Sequence, residues 1–388
     1  MNREHRYAVV GLGAIGSAAA YWLARRAGSD VVAFERYELG HQRGASEDHS
    51  RIIRRSYHTP WYVSLTAHAY RAWAEVELDA GKKLIVRTGG LDLWPEGAAI
   101  PMSDYTESMR ACGVEFEELD APETMRRWPQ WRLSDDVRTV FQADAGIAAA
   151  SKCNAAHRRL ALGYGATFRD RSPVTVIRDH GNEVEIEAGG ERHRCERLVI
   201  AADAWTNDLL AHLDLRLPLT ITQEQVIYFA APDPSEFAPE RFPIWIWMDD
   251  PSFYGFPTYG EAGPKAAQDV GGREVSSPER SDAPDEVARR RVHDFVREHL
   301  PRAYGPEILL RTCLYTMPPD RHFVLDAVPG HPNVFVALGA AHGFKFSSLF
   351  GRILAELAID GRTDLDIVHF AAARSILTMD DPPRSFLV

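Results

Sequence analysis

Hydrophobic residues in this chain fall into short unbroken runs and longer stretches at helical spacing, and their alternation outlines the fold. Tyr7-Ala8-Val9-Val10 is a short run with β-branched residues, and Ser17 to Ala24 reads as a helix with a small-residue face. Asp30-Val31-Val32-Ala33-Phe34 is a second apolar strand. Between Tyr62 and Leu78, the residues Leu65, Ala69, Ala72, Trp73 and Val76 recur at helical spacing and predict a packed amphipathic helix. Arg197 to Ala202 is a nearly continuous apolar strand of the kind covered on both faces in a parallel sheet. Asn333 to Gly339 reads as another buried strand, and a helix from Leu349 to Asp360 is closed by Gly361.

The middle of the chain breaks this rhythm. Leu84 to Leu93 is β-rich around Gly89-Gly90 and Pro101 to Gly113 reads as a helix, so the chain is expected to leave its first domain near residue 85. It returns near Ala149, where Ser151 is expected to cap a new helix. Strands follow at Ala166 to Phe168, Val174 to Ile177 and Val184 to Ile186. Pro218 to Phe229 restarts β structure, and the aromatic strands Pro243 to Met248 and Phe253 to Pro257 predict a second sheet that walls a pocket. Gly260 to Pro284 carries many Gly, Pro, Ser and charged residues and reads as a mobile surface loop, before a polar helix from Glu286 to Leu300. The expected class is α/β. A discontinuous nucleotide-binding domain takes residues 1–84, 149–217 and 310–388, and an α+β domain built on an antiparallel sheet takes 85–148 and 218–309.

The first run ends in Gly11, Gly13 and Gly16, spaced G-x-G-x-x-G between strand and helix. The first glycine permits the turn, the second lets backbone approach a pyrophosphate, and the third lets helix and strand pack closely. Glu35, at the end of the second strand, can accept the hydroxyls of an adenosine ribose. The polar segment Leu39 to Ser46 suits a loop lying across the cofactor. The arginines of Ser50 to Tyr57 would share a face if the segment is helical, and a solvated basic turn is the other reading.

Charge and composition narrow the partners. A formal charge of -11 and a pI near 5.8 argue against nucleic acid, and the basic cluster from Arg51 to Arg55 is too short to overturn that. No apolar run approaches the roughly 18 residues that span a bilayer. The N-terminus becomes the first strand rather than a cleaved signal, so the expectation is a cytoplasmic protein, and a monomer is expected. Cys112, Cys153, Cys195 and Cys313 are too sparse for a disulfide framework, and no histidine spacing predicts a metal.

NAD and FAD both fit the opening, and the return to the nucleotide sheet through a Gly-rich turn near the C-terminal end favours FAD and a glutathione-reductase-type Rossmann domain. At this point the chain resembles the monomeric sarcosine oxidase and N-methyltryptophan oxidase group of flavoprotein amine oxidases, over nearly its full length. The resemblance lies in Gly11, Gly13 and Gly16 with Glu35; Arg51 to Arg54; Trp205; Tyr254 to Pro257; Lys265; Cys313 to Thr316; and His342 to Ser348. It implies FAD contacts at Gly11, Gly13, Ala14, Ile15, Gly16, Glu35, Arg36, Ser46, Arg51, Val174, Trp205, Gly339, Gly343, Phe344 and Lys345, with the flavin attached through a thioether to Cys313.

The same resemblance implies roles. Arg54 and Lys345 are similar to the pair that fixes the substrate carboxylate, Arg51 to an arginine beside the flavin, and Lys265 to a lysine that promotes reaction with oxygen. Tyr254 and Tyr315 look like pocket-lining phenols. Three positions depart from the family pattern: Asp269 and the segment Ser46-Glu47-Asp48-His49 bring acids to histidine positions, and Asp203 replaces a glycine. An acidic pocket would favour a cationic, polyhydroxylated or cyclic substrate over sarcosine. The implied activity is oxidation of the C-N bond of an N-methyl or cyclic amino acid to an imine, with O2 reduced to H2O2. A dehydrogenase using another acceptor and a non-catalytic flavin-binding protein stay open as alternatives.

Overall fold

The computed structural model describes residues 3–385. Its opening strand, Arg3–Val10, lies inside an eight-stranded sheet, parallel to Val31–Phe34 on one side and to Glu191–Ile200 on the other. Thr167–Arg169 extends the parallel run past Val31–Phe34, and His331–Leu338 runs parallel to the end of Glu191–Ile200. Val174–Asp179, Val184–Ala188 and Val324–Val328 join antiparallel.

Side chains alternate across this sheet and meet apolar cover on both faces. Tyr7, Val9, Val31, Ala33, Val199, Phe335 and Ala337 share a core with the helices Ala14–Ala27, Pro60–Ala80, Ala150–Gly163 and Ser347–Asp360. Ala8, Val10, Val32, Phe34, Leu198, Ile200, Val334 and Val336 share the other with Leu209, Leu210 and Leu213. With water excluded from both sides, every position along these strands gains from being apolar, which explains the unbroken runs.

Nine further strands form a second sheet. Thr220–Phe229 pairs with Lys265–Asp269, Arg273–Glu274 and Glu307–Met317, and the path continues through Ser252–Phe256, Ile244–Trp247, Gly90–Trp94, Arg138–Gln142 and Glu117–Asp120. Helix Glu286–His299 lays Val292, Phe295 and Val296 against Trp245, Trp247 and Phe253 of that sheet. A small third sheet joins Arg51–Ile53, Gly146–Ala148 and Ile85–Arg87.

The structure corrects four expectations. Arg51–Ile53 is a strand paired with Gly146–Ala148, not a helix, so Arg51 and Arg54 are set by an extended chain. Within the expected mobile loop, Lys265–Asp269 is a strand buried between Ser252–Phe256 and Thr220–Phe229; its small central residues and charged ends conceal it from hydrophobic patterning. Ser151 does not cap its helix, which begins at Ala150 after Ala149; its N-H and hydroxyl both donate to the Asp48 carbonyl instead. The strand carrying Cys313 belongs to the second sheet, although residues 310–388 had been grouped with the first. The final helix ends as expected at Gly361, in the left-handed region. Among the described residues no helix is long and apolar enough to cross a membrane.

Helices Ala14–Ala27 and Ser347–Asp360 touch through Gly351, where an added Cβ would stand 2.4 Å from the Ala18 carbonyl carbon. Gly351→Val is therefore expected to cost about 1–3 kcal/mol through overpacking, measured as a lower urea midpoint with an unchanged slope.

Candidate functional site

The turn after the opening strand is bare because nothing else fits. Gly11 has φ +91°, and a Cβ there would lie 2.4 Å from the Ala201 oxygen; one on Gly16 would lie 1.8 Å from the Gly11 oxygen. Side chains are thus excluded at Gly11 and Gly16, and Ala14 N-H at the helix start is met by Ser46 Oγ at 2.9 Å. Glu35 accepts from Leu12 N-H at 2.8 Å and Tyr37 N-H at 3.1 Å and pairs with His41 at 3.2 Å. Burial opposes its charge, but these bonds from His41, Leu12 and Tyr37 outweigh burial and hold the carboxyl below its ordinary range.

From this turn a cavity of about 450 Å³ reaches the second sheet. Gly11, Gly13, Ala14, Ile15, Glu35, Arg36, Ser46, Val174 and Trp205 line it near the first sheet, together with much of the loop from Gly40 to Ser46. Arg51, Arg54, Tyr254, Asp269, Cys313, Tyr315, Gly339, Gly343, Phe344 and Lys345 line the rest. Two residues named from the sequence do not line it. Gly16 lies behind the turn, and Lys265, 2% exposed, is enclosed by the Asp48 carboxylate at 2.8 Å, the Ser50 carbonyl at 3.1 Å and the Phe256 ring at 4.1 Å.

A hydrogen-bonded chain organises the far wall. Arg54 Nη1 donates to Asp92 Oδ1 at 2.9 Å, and both side chains are buried. Lys345 Nζ donates to the Tyr57 hydroxyl and to the His342 carbonyl, each at 2.9 Å. The Tyr57 hydroxyl faces His342 Nδ1 at 3.2 Å, and His342 Nε2 lies 3.0 Å from the Arg321 carbonyl, which can only accept. His342 is accordingly neutral with its proton on Nε2, and burial together with Lys345 and Arg321 keeps its basicity far below the ordinary value. Arg321 holds both oxygens of Asp269 at 2.9 Å. Tyr254 and Tyr315 share a hydroxyl contact at 3.3 Å.

These pairings change the electrostatic expectation. Asp269 does not make the pocket acidic, because Arg321 matches its charge in a two-point bridge. Glu47 is likewise matched by Arg158 at 3.1 Å and bonded by Asn154. The preference for a cationic substrate drawn from these two acids therefore has no support. Arg321 and Tyr57 were not singled out from the sequence: Arg321 follows Pro318-Pro319-Asp320, a stretch that reads only as a polar turn, and no local pattern points it at Asp269.

Lys345 differs from its neighbours in bonding to neutral oxygens. Burial, with Arg54 and Arg321 nearby, lowers its pKa well below the usual lysine value. Cys313 Sγ lies on the cavity wall, where burial pushes the thiol up to about 12 against the pull of Arg51. Asp203 adopts φ +47°, a conformation that aspartate tolerates better than most residues; burial raises its carboxyl to about 6, and its Oδ2 is buried without a hydrogen-bond partner. Among the described residues no cluster of three or more His, Cys, Asp or Glu could hold a metal.

A bare glycine turn, an ionised acid at the end of the second strand and a cavity continuing to a second sheet define a dinucleotide-binding protein. Glu35 at one end of the cavity and Arg51, Cys313 and Lys345 at the other are a donor set that suits FAD. The chain belongs to the FAD dependent oxidoreductase family, DAO, whose model matches residues 6–357. It is 34% identical over 378 residues to monomeric sarcosine oxidase of Streptomyces avermitilis, covering 94% of this chain and 96% of that protein. It is 30% identical to N-methyl-L-tryptophan oxidase of Salmonella arizonae, with 94% and 98% covered. The solved open form of NikD, described as an unusual amino acid oxidase essential for nikkomycin biosynthesis, superposes with a TM-score of 0.84 at 25% identity, covering 95% of this chain and 98% of that one.

A bound anion favours the ammonium form of Lys345, which burial, Arg54 and Arg321 disfavour. Binding of a small carboxylate such as benzoate is therefore expected to be coupled to proton uptake by this amine and to weaken as pH rises. Calorimetry in buffers of different ionisation enthalpy measures this, and Lys345→Met abolishes the uptake.

Proposed function

We propose that this protein is an FAD-dependent oxidase of secondary or cyclic amino acids, converting the C-N bond to an imine while O2 becomes H2O2. The observation that carries the reading is one cavity joining the bare glycine turn to Lys345, a cation that reserves no carboxylate of the protein for itself. Bound FAD supplies the two-electron chemistry and its reoxidation by O2. The protein binds, orients and polarises.

Lys345 holds the substrate carboxylate, with Arg54 adding positive field from its place against Asp92. Because Asp92 already occupies Arg54 Nη1, the lysine carries the larger share of the anchoring. Tyr254 and Tyr315 wall the substrate, and the Asp269-Arg321 bridge offers it a polar but neutral surface. Arg51 lies along the cavity with its guanidinium bonded to the Ala45 and Ser50 carbonyls. Lys265 adds charge from behind the wall. Cys313 attaches the FAD covalently, and the nucleotide and substrate domains are those outlined from the sequence, with the Cys313 strand reassigned to the second. Four free cysteines and no demand for a second copy support a monomer in a reducing compartment such as the cytoplasm.

Anaerobic bleaching of the yellow protein by N-methyl or cyclic amino acids, followed by peroxide release matching amine consumption in air, tests the activity. Bleaching without peroxide assigns the protein to the dehydrogenases, and a panel that never bleaches it removes the enzymatic reading. For the attachment, acid-precipitated wild-type protein is expected to stay yellow and Cys313→Ser to lose its colour to the supernatant. A colourless wild-type pellet disproves the covalent link.

A further inference from the structure

Asp48 lies in the irregular chain between Val31–Phe34 and Arg51–Ile53, lines the cavity, and is 4% exposed. Its Oδ2 accepts from Lys265 Nζ at 2.8 Å and Arg51 Nη1 at 3.2 Å. Its Oδ1 accepts from the Tyr228 hydroxyl at 2.9 Å and stands 3.7 Å from Arg311 Nη1. Ser151 fixes the Asp48 carbonyl through its N-H at 3.0 Å and its hydroxyl at 2.7 Å. Groups from the second sheet and the small third sheet thus converge on one buried carboxylate, while a helix start holds the backbone carbonyl of the same residue. Of its three cationic partners, Arg51 and Arg311 line the cavity and Lys265 does not.

We propose that Asp48 is a positioning residue that keeps Lys265 charged behind the cavity wall and ties it to Arg51, so that one carboxylate sets the positive field along the cavity. A buried ammonium that loses its counter-charge gives up its proton, since desolvation then acts unopposed. The groups facing Lys265 make Asp48 decisive. Arg51 on its strand disfavours the ammonium, Tyr228 is a neutral phenol, Cys313 is uncharged both as a thiol and as a flavin thioether, and Arg311 is shared with Glu261 at 3.8 Å. Burial brings Lys265 down to about 8, with Asp48 the main influence in the other direction. The ammonium is therefore present below that pH and lost above it, and removing Asp48 moves the loss to lower pH.

The consequence in turnover rests on the FAD-oxidase reading; the ion pair does not. NMR of the holoenzyme labelled with ε-13C lysine, with the Lys265 signal assigned by its absence in Lys265→Met, reads the amine directly. Lys265 is expected to titrate near 8 in wild type. It should titrate about one to three pH units lower in Asp48→Asn and close to wild type in Asp48→Glu. The wild-type titration stands as a test even if Asp48→Asn does not fold: an amine already neutral at pH 6 overturns the proposal. In turnover, the high-pH fall of cofactor reoxidation should move down with the Lys265 titration in Asp48→Asn. If wild type makes peroxide but Asp48→Asn leaves both the titration and the profile in place, Asp48 has no such role. If the titration shifts but wild type makes no peroxide, the oxidase reading fails and the Asp48 assignment stands.

Discussion

Gly11 approaches the end of the neighbouring strand so closely that a single methyl group would collide with the Ala201 carbonyl. That contact belongs to a register in which Val10 pairs with Ile200 and Ile200 with Val336, so two parallel strands finish at one level and the third, ending at Leu338, runs only slightly beyond it. The turns that follow them, Gly11 to Ile15, Ala201 to Trp205 and Gly339 to Lys345, consequently all reach the same cavity. Strand ends at the carboxyl edge of a parallel sheet present backbone donors and helix starts, which is the physical basis for binding a dinucleotide there. The buried alternation on both faces of the sheet serves this alignment, because a slip in register would expose apolar side chains and separate the turns.

A second constraint governs the charged wall. Burying an ion costs several kcal/mol unless another charge or a set of hydrogen bonds compensates it. Arg54 with Asp92, Arg321 with Asp269, Arg158 with Glu47 and Lys265 with Asp48 each meet that requirement inside the protein. Lys345 is compensated only by neutral oxygens, and its low basicity records the cost. The pairs leave the wall close to neutral, while Lys345 is bonded to a hydroxyl and a carbonyl rather than to an acid. An acid in this wall says little about substrate charge until its partner is known, which is why Asp269 and Glu47 misled the sequence-based expectation.

Much of the first sheet was legible because its information is local. Tyr7 to Val10, Val31 to Phe34 and Leu198 to Ile200 are short apolar runs, and the structure buries each of them. Lys265–Asp269 was illegible for the opposite reason: neither Lys265 nor Asp269 looks like a strand end, and their burial depends on partners more than two hundred residues away for Lys265 and about fifty for Asp269. Ser151 has the right identity and position for a cap, yet its bonds go to Asp48, a competing acceptor that local pattern cannot reveal. The glycine turn could be read from chemistry alone, whereas Cys313 acquired meaning only through the family resemblance, since an isolated thiol carries no spacing.

The strand Glu307–Met317 shows how the two sheets depend on each other. Extended backbone turns alternate residues to one side, so Arg311, Cys313 and Tyr315 all face the cavity from a strand hydrogen-bonded to Thr220–Phe229. Arg311 reaches Asp48, and Tyr315 meets Tyr254, so this one strand touches both the Asp48 carboxylate and the tyrosine pair on the cavity wall. The thiol sits between them. A cofactor held by phosphate at the first sheet and by sulfur at this strand would bridge the two sheets, and its attachment would report on their correct docking. Such an attachment would draw on both sheets at once, because the cavity is lined by the strand paired to Thr220–Phe229 and by the glycine turn packed against Ala201.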